Sequence, residues 1–103
     1  MQGEEVLRDL LEGNRRYVAG QFEHPRQTRQ RRDELTAGQH PSAIVLTCSD
    51  SRCPPEILFD QGIGDLFVCR VAGNVMPPSI VSSLSWAVDS LGLDVIMVIG
   101  HEG

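Results

Sequence analysis

Three apolar, β-branched stretches, separated by segments of helical character, constrain the fold of this chain more than any other feature. Residues 43–48 (AIVLTC), 65–71 (DLFVCRV) and 94–99 (DVIMVI) each show the nearly continuous apolar character of a strand buried on both faces. Because helices separate these strands, crossover connections and a parallel sheet are expected. We therefore predict an α/β fold of three layers, with a central parallel β-sheet flanked by helices.

Four segments are predicted to be helices: 4–19, 28–37, 56–60 and 77–91. The first and the last carry apolar residues at helical spacing, and each is followed by a glycine that can end it. Pro54-Pro55 suits the first turn of the short third helix. The second helix is almost entirely polar, so we expect it to lie on the surface or against a second subunit.

The length of the chain allows one small domain. We predict that residues 1–103 form a single domain, with an N-terminal helical arm at 1–38 and a parallel βαβαβ core at 43–103. A domain of this size buries a core only marginally without help from a partner subunit or a metal.

Charge and composition exclude several classes of partner. The formal net charge of −5 argues against nucleic acid. The basic cluster Arg26–Arg32 is followed directly by Asp33 and Glu34, which indicates a solvated helix face. No stretch has the ~18 apolar residues of a membrane span, and the acidic start does not resemble a signal peptide. We expect a cytoplasmic protein whose three cysteines are reduced thiols.

Potential metal ligands follow the first and third predicted strands. Cys48 ends one strand and His101 follows the other, and ligands of parallel sheets bind beyond the carboxyl ends of the strands. A thiolate here can ligate zinc, Asp50 points to the same side, and Arg52 can form a bidentate pair with Asp50. The alternatives are a buried cysteine, an ordinary surface ion pair and a loop histidine.

Several ordered motifs resemble those of one enzyme family. Cys48–Arg52 (CSDSR) resembles the first signature of the β-class carbonic anhydrases, and Ser85–Val88 followed by Val95–His101 resembles the second. Gly64–Val68 and Arg70–Asn74 match the middle segment of the family. The chain is therefore identified as a member of this family, which implies an α/β fold and a zinc site.

The resemblance implies reversible hydration of carbon dioxide to bicarbonate through a zinc-bound hydroxide. Zinc in this family is held by two cysteines and one histidine, and Cys48 and His101 match two of these ligands. Asp50, oriented by Arg52, would accept the hydrogen bond of the hydroxide. Gln39 would donate a hydrogen bond to a substrate oxygen at the border of the pocket. Family members are dimers or higher oligomers, so a homodimer or higher assembly is expected.

This sequence differs from the pattern of the family at two points, which concern a closed form of the site and the third zinc ligand. In a closed form of the site, Asp50 leaves Arg52 and takes the fourth zinc position. Some closed-form members have a tryptophan where this chain has Val45, which favours the open form. The third zinc ligand of the family is a cysteine three positions after His101, and this sequence ends at Gly103, one position earlier. Two ligands in place of three predict much weaker zinc binding.

Three functional hypotheses follow. The chain is a carbonic anhydrase, a non-catalytic relative that binds zinc weakly and associates with other subunits, or a carbon disulfide or carbonyl sulfide hydrolase on the same scaffold. Among the other candidate ligands, Cys53 and Cys69 are expected to be buried small hydrophobes, although ligation by Cys53 stays open. His24 and His40 are expected to lie on the surface.

Overall fold

The computed structural model describes residues 3–103 as alternating helices and strands. In chain order the elements are α1 (Gly3–Ala19), α2 (Arg29–Glu34), a 3₁₀ turn (Leu35–Ala37), β1 (Ala43–Cys48), α3 (Pro55–Leu58), β2 (Leu66–Val71), a second 3₁₀ turn (Ala72–Asn74), α4 (Pro78–Leu91) and β3 (Ile96–Val98). Thr28 caps α2 by accepting a hydrogen bond from the Arg31 amide, as its residue type predicts. Within residues 3–103, no helix combines the length and the apolar character needed to cross a bilayer.

The three strands form one parallel sheet in the order β2-β1-β3. β1 pairs with β2 from Ala43 opposite Leu66 to Cys48 opposite Val71. On its other side β1 pairs with β3, where Ile44 lies opposite Ile96. The predicted parallel sheet is therefore confirmed. Its register places the carboxyl ends of all three strands at one edge.

Helices cover both faces of the sheet and give the predicted three layers. One face packs against α4 in a core cluster made of Ile44, Leu46, Cys69, Leu84, Ala87 and Leu93. The other face packs against α1 and the end of α3 in a second cluster made of Val6, Leu10, Ala43 and Phe59. β1 contributes to both clusters, which agrees with its continuous apolar sequence.

The prediction that all three strands are buried is wrong for the two outer ones. β3 is only three residues long, and its Ile96 and Val98 side chains are 49% and 62% exposed. In β2 only Cys69 is buried. The cause is the sheet order: both strands are edges, and the cluster under α4 includes side chains of β1 and β2 but none of β3.

The basic cluster Arg26–Arg32 is not simply a solvated face. Arg26 Nε donates to both carboxylate oxygens of Asp65 at 2.8 Å, and Asp65 is only 8% exposed. Arg31 donates to the Ile63 carbonyl at 2.8 Å and to Asp65 at 3.4 Å. Two of the arginines therefore fasten the N-terminal segment to the residues that precede β2. A partner 34 to 39 positions away is not visible in the local charge pattern.

A second anchor lies at Asp60, directly after α3. Its carboxylate accepts hydrogen bonds from Arg16 Nε at 2.6 Å and from the amides of Glu23 and His24 at 2.8 and 3.2 Å. Burial opposes ionisation of this carboxyl, but the three donors outweigh burial and hold its pKa below the usual value. Residues 16–24 of the predicted arm thus pack against the segment between α3 and β2 of the same chain.

Candidate metal centre

Cys48, Asp50 and His101 meet at the carboxyl edge of the sheet. Cys48 is the last residue of β1, Asp50 lies in the following turn, and His101 comes three residues after β3. His101 Nε2 is 3.9 Å from Asp50 Oδ2. The parallel pairing of β1 with β3 produces this convergence of residues that are more than fifty positions apart in sequence.

The environment of Cys48 favours its thiolate. A hydrogen bond with His101, followed by hydrogen bonds from the backbone amides of Asp50 and Gly73, lowers the pKa of the Cys48 thiol to about 7. The Asp50 amide lies 3.4 Å from Cys48 Sγ. The same hydrogen bond with Cys48 raises the pKa of His101. Because thiolate is the form that binds metals, this pair provides one sulfur donor near neutral pH.

Asp50 and Arg52 form the bidentate pair that the residue spacing predicts. Arg52 Nε and Nη2 donate to the two carboxylate oxygens at 2.9 and 2.7 Å, and the Arg52 amide donates to Oδ1 at 2.8 Å. The guanidinium and then the amide of Arg52 hold the pKa of Asp50 well below its usual range. The carboxylate is therefore ionised and fixed in orientation, with Oδ2 on the side of His101.

Arg70 contributes to the site, although sequence reasoning treated it only as part of a motif. Its Nε donates to the Cys48 carbonyl at 2.9 Å, and its Nη2 donates to the Asp50 carbonyl at 2.6 Å. Alongside it, the Ser49 amide donates to the Val71 carbonyl at 3.2 Å. An arginine near the end of an otherwise apolar strand was the available signal, since such a side chain needs acceptors.

The structure places Gln39 away from this edge. Gln39 is exposed and precedes β1, a strand of six residues. With a rise of ~3.3 Å per residue, the first and last Cα atoms of the strand lie about 17 Å apart. The neighbouring His40 lines a recess with Ser42 and Asp65 at the amino-terminal edge of the sheet. Within one chain Gln39 therefore lies at the opposite end of β1 from Cys48. Its predicted substrate contact would require a second copy of the chain.

The other candidate ligands lie where the sequence predicts. Cys53 and Cys69 are buried at 9% and 6% exposure, and burial raises the pKa of the Cys69 thiol. All three cysteines are free thiols. His24 and His40 are exposed, and His24 stacks on the Phe22 ring with a centroid distance of 5.0 Å.

The donor set matches part of a zinc site. A thiolate and an imidazole are typical zinc ligands, and a tetrahedral site has four positions. The Asp50 carboxylate forms a salt bridge with Arg52, so it is not available as a third donor in this arrangement. Across residues 3–103, no group of three His, Cys, Asp or Glu side chains is placed to hold a metal ion. Cys48 and His101 could therefore supply two donors, and the remaining positions need donors from elsewhere.

Comparison with known proteins identifies relatives across most of the chain. The carbonic anhydrase family model matches residues 43–103. Carbonic anhydrase 2 of Mycobacterium tuberculosis is 47% identical over 93 residues, which is 90% of this chain and 45% of the relative. The carbonic anhydrase of Mycolicibacterium smegmatis is 50% identical over the same shares. The chain thus spans about half the length of these curated relatives.

Solved structures give the same result for the fold. A β-carbonic anhydrase of Aspergillus fumigatus matches 88% of this chain and 44% of its own, with a TM-score of 0.66 and 33% identity. Tetrameric β-carbonic anhydrases of Sordaria macrospora match 84% of this chain and 43% of theirs, with a TM-score of 0.66 and 31% identity. From its motifs, its sheet and these relatives, we conclude that the chain belongs to the carbonic anhydrase family and has the fold of the β class.

Proposed function

We propose that this protein catalyses the zinc-dependent, reversible hydration of carbon dioxide to bicarbonate. The observation that carries the proposal is the convergence of the Cys48 thiol, the His101 imidazole and the ionised Asp50 carboxylate at one edge of the sheet. In this proposal Cys48 and His101 are zinc ligands, and Asp50 and Arg52 are the residues that orient the reacting water. The names of the relatives support the reaction class.

The residues of the site divide the work as follows. Zinc, when bound, supplies a Lewis acid that lowers the pKa of a coordinated water to near neutrality. Cys48 would bind the zinc as a thiolate, because its pKa of about 7 keeps much of the thiol ionised at neutral pH. Asp50 accepts a hydrogen bond from the reacting water and so aims its lone pair at carbon dioxide. Arg52 keeps Asp50 charged and prevents rotation of the carboxylate.

The intact pair of Asp50 with Arg52 supports the open form of the site. A closed form requires Asp50 to exchange the guanidinium for the metal, and both of its oxygens are engaged by Arg52 here. Val45, which is fully buried in β1, stands where some closed-form members have a tryptophan, and this difference also favours the open form. We therefore propose that Asp50 would not be a metal ligand in this form and would act as a hydrogen-bond acceptor.

A second candidate function is zinc binding without catalysis. It is favoured by one observation: the described residues offer Cys48 and His101 but no cluster of three ligands. Metal affinity depends on ligand number and geometry, so two protein donors bind zinc more weakly than three. Under this alternative the chain retains zinc at high metal concentration and does not accelerate hydration.

We also propose that copies of the chain associate. Gln39 can reach the Cys48 edge of a sheet only in another copy, because its own site lies about one strand length away. The Sordaria relatives are described as tetrameric. Size-exclusion chromatography with light scattering tests this proposal, which predicts a mass at least twice that of one 11.3 kDa chain. A monomer at high concentration would contradict it.

The decisive experiment measures zinc affinity and hydration rate on the same samples. We expect Cys48→Ser and His101→Ala each to weaken zinc binding by about tenfold or more, since each removes one donor. His24→Ala is the matched control, because it removes an exposed imidazole from the N-terminal segment. Stopped-flow hydration should fall in Asp50→Asn while its zinc content stays near that of the wild type.

The outcomes separate the candidate functions. Zinc binding that is insensitive to both Cys48→Ser and His101→Ala would contradict the proposed centre. Zinc binding that depends on both residues, without any hydration by the wild-type chain, would favour the second candidate. Hydration that depends on Cys48, His101 and Asp50 would establish the first.

A further inference from the structure

We propose that Arg70 is a positioning residue that fixes the backbone of the Cys48–Asp50 segment in the shape that metal binding requires. This inference rests on the proposed function and adds a residue to it. The side chains at the two ends of the segment face the centre, so a change in the path of the backbone would move the sulfur and the carboxylate relative to each other.

The hydrogen bonds that the structure describes for the Arg70 side chain go to this segment. Its guanidinium spans two main-chain acceptors, the Cys48 carbonyl at 2.9 Å and the Asp50 carbonyl at 2.6 Å. Arg70 lies in β2 opposite Thr47, so the strand pairing places its side chain beside the turn. A planar guanidinium presents its donors in a fixed fork, and this fork therefore sets the separation of the two carbonyl groups.

The Asp50 carbonyl accepts two hydrogen bonds, and the Asp50 amide is engaged as well. It accepts a hydrogen bond from the Cys53 amide at 3.1 Å as well as from Arg70. The Asp50 amide points to Cys48 Sγ at 3.4 Å. Rotation of the peptide groups next to Asp50 would thus disturb both the turn and the donor to the sulfur. Arg70 opposes such rotation from the β2 side.

The role uses both the positive charge and the paired donors of the guanidinium. A lysine has a single ammonium on a flexible stem and cannot reproduce the paired geometry of a guanidinium. A glutamine offers two donors on a shorter side chain without a charge. We therefore expect Arg70→Lys to retain part of the restraint and Arg70→Gln to lose most of it.

The test measures amide hydrogen exchange by NMR in the metal-free chain. Loss of charged hydrogen bonds to the segment should accelerate exchange at Asp50, Arg52 and Cys53 by about tenfold in Arg70→Gln, with Arg70→Lys in between. Exchange in the middle of β1 should not change. Arg29→Gln is the matched control, because the exposed Arg29 side chain makes no hydrogen bond within residues 3–103.

Metal binding provides the second measurement. Cobalt(II) titration should show weaker binding and a reduced sulfur-to-metal absorption in Arg70→Gln, with partial recovery in Arg70→Lys. A change in global stability alone would accelerate exchange in β1 and the turn equally. That uniform pattern, or exchange at the three turn amides equal to that of the wild type, would overturn the proposal.

The two proposals fail in different ways. If Arg70→Gln does not fold, the Arg70→Lys variant tests the proposal. Amide exchange at Asp50, Arg52 and Cys53 equal to that of the wild type in this variant would show that the paired donors of the guanidinium are unnecessary. A wild-type chain that binds no zinc or cobalt overturns the proposed function. The exchange data, which need no metal, decide separately whether Arg70 holds the turn.

Discussion

The two strands that carry the proposed ligands differ more in the structure than in the sequence. β1 and β3 have similar apolar sequences, yet Ile44 in β1 is fully buried, whereas Ile96, its paired residue in β3, is 49% exposed. β1 lies between two strands and two helical layers, and β3 lies at the edge. An apolar, β-branched sequence thus predicts a strand, but its place in the sheet determines how deeply it is buried.

The same asymmetry extends to the two proposed ligands. Cys48 is surrounded by donors: the Asp50 and Gly73 amides lie near its sulfur, and Arg70 binds its carbonyl. His101 follows the exposed edge strand, and its ring interacts with Cys48, with Asp50 and with the adjacent Glu102 carbonyl at 3.3 Å. The centre therefore combines a sulfur at the end of the central strand with an imidazole that follows an edge strand.

The largest expected effect compares Ile44→Ala with Ile96→Ala. Removing the buried side chain of Ile44 leaves a cavity in the core and should cost about 3 kcal/mol of unfolding free energy. Removing the half-exposed side chain of Ile96 should cost less than about 1 kcal/mol. Urea denaturation monitored by circular dichroism measures both values. Equal losses would show that β3 is buried in solution, for example by association of copies.

The next effect concerns the reactivity of Cys48. Only the thiolate is alkylated, so the rate should rise with pH and level off above the Cys48 pKa of about 7. His101→Ala removes the largest cause of the lowered pKa and should slow alkylation at pH 7 by about tenfold. Iodoacetamide kinetics followed by mass spectrometry would measure this, with Cys48→Ser as the control for the buried thiols. A wild-type profile that levels off only at clearly alkaline pH would contradict the hydrogen bond with His101.

The smallest effect compares two glycines that follow strands. Gly73 has a φ of 76°, which other residues adopt with strain, so Gly73→Ala should destabilise the chain by about 1 kcal/mol. Gly100 lies before His101, its φ is not in the left-handed region, and a Cβ there meets open space. Gly100→Ala should therefore change stability by less than about 0.5 kcal/mol. Thermal unfolding of both variants tests this difference, and a reversal of their order would refute the asymmetry.

Much of the architecture could be predicted from the sequence because it follows from local patterns. The apolar runs and the helical spacing between them predicted the parallel sheet and its three layers. The same reasoning placed Cys48 and His101 at one edge, and the spacing of Asp50 and Arg52 predicted their ion pair. The motifs supplied the family, which the comparisons confirm.

The sequence by itself determined the order of the elements, their parallel pairing and the edge where the potential ligands meet, because these depend on periodicity and on residues close in the chain. Only the tertiary structure decided which strands are edges, and that Arg70, Arg26 and Arg31 donate to acceptors far away in sequence. The physical reason is that strand order and side-chain pairing depend on how α1, α4 and the connecting loops pack. Distances between residues many positions apart are set by that packing.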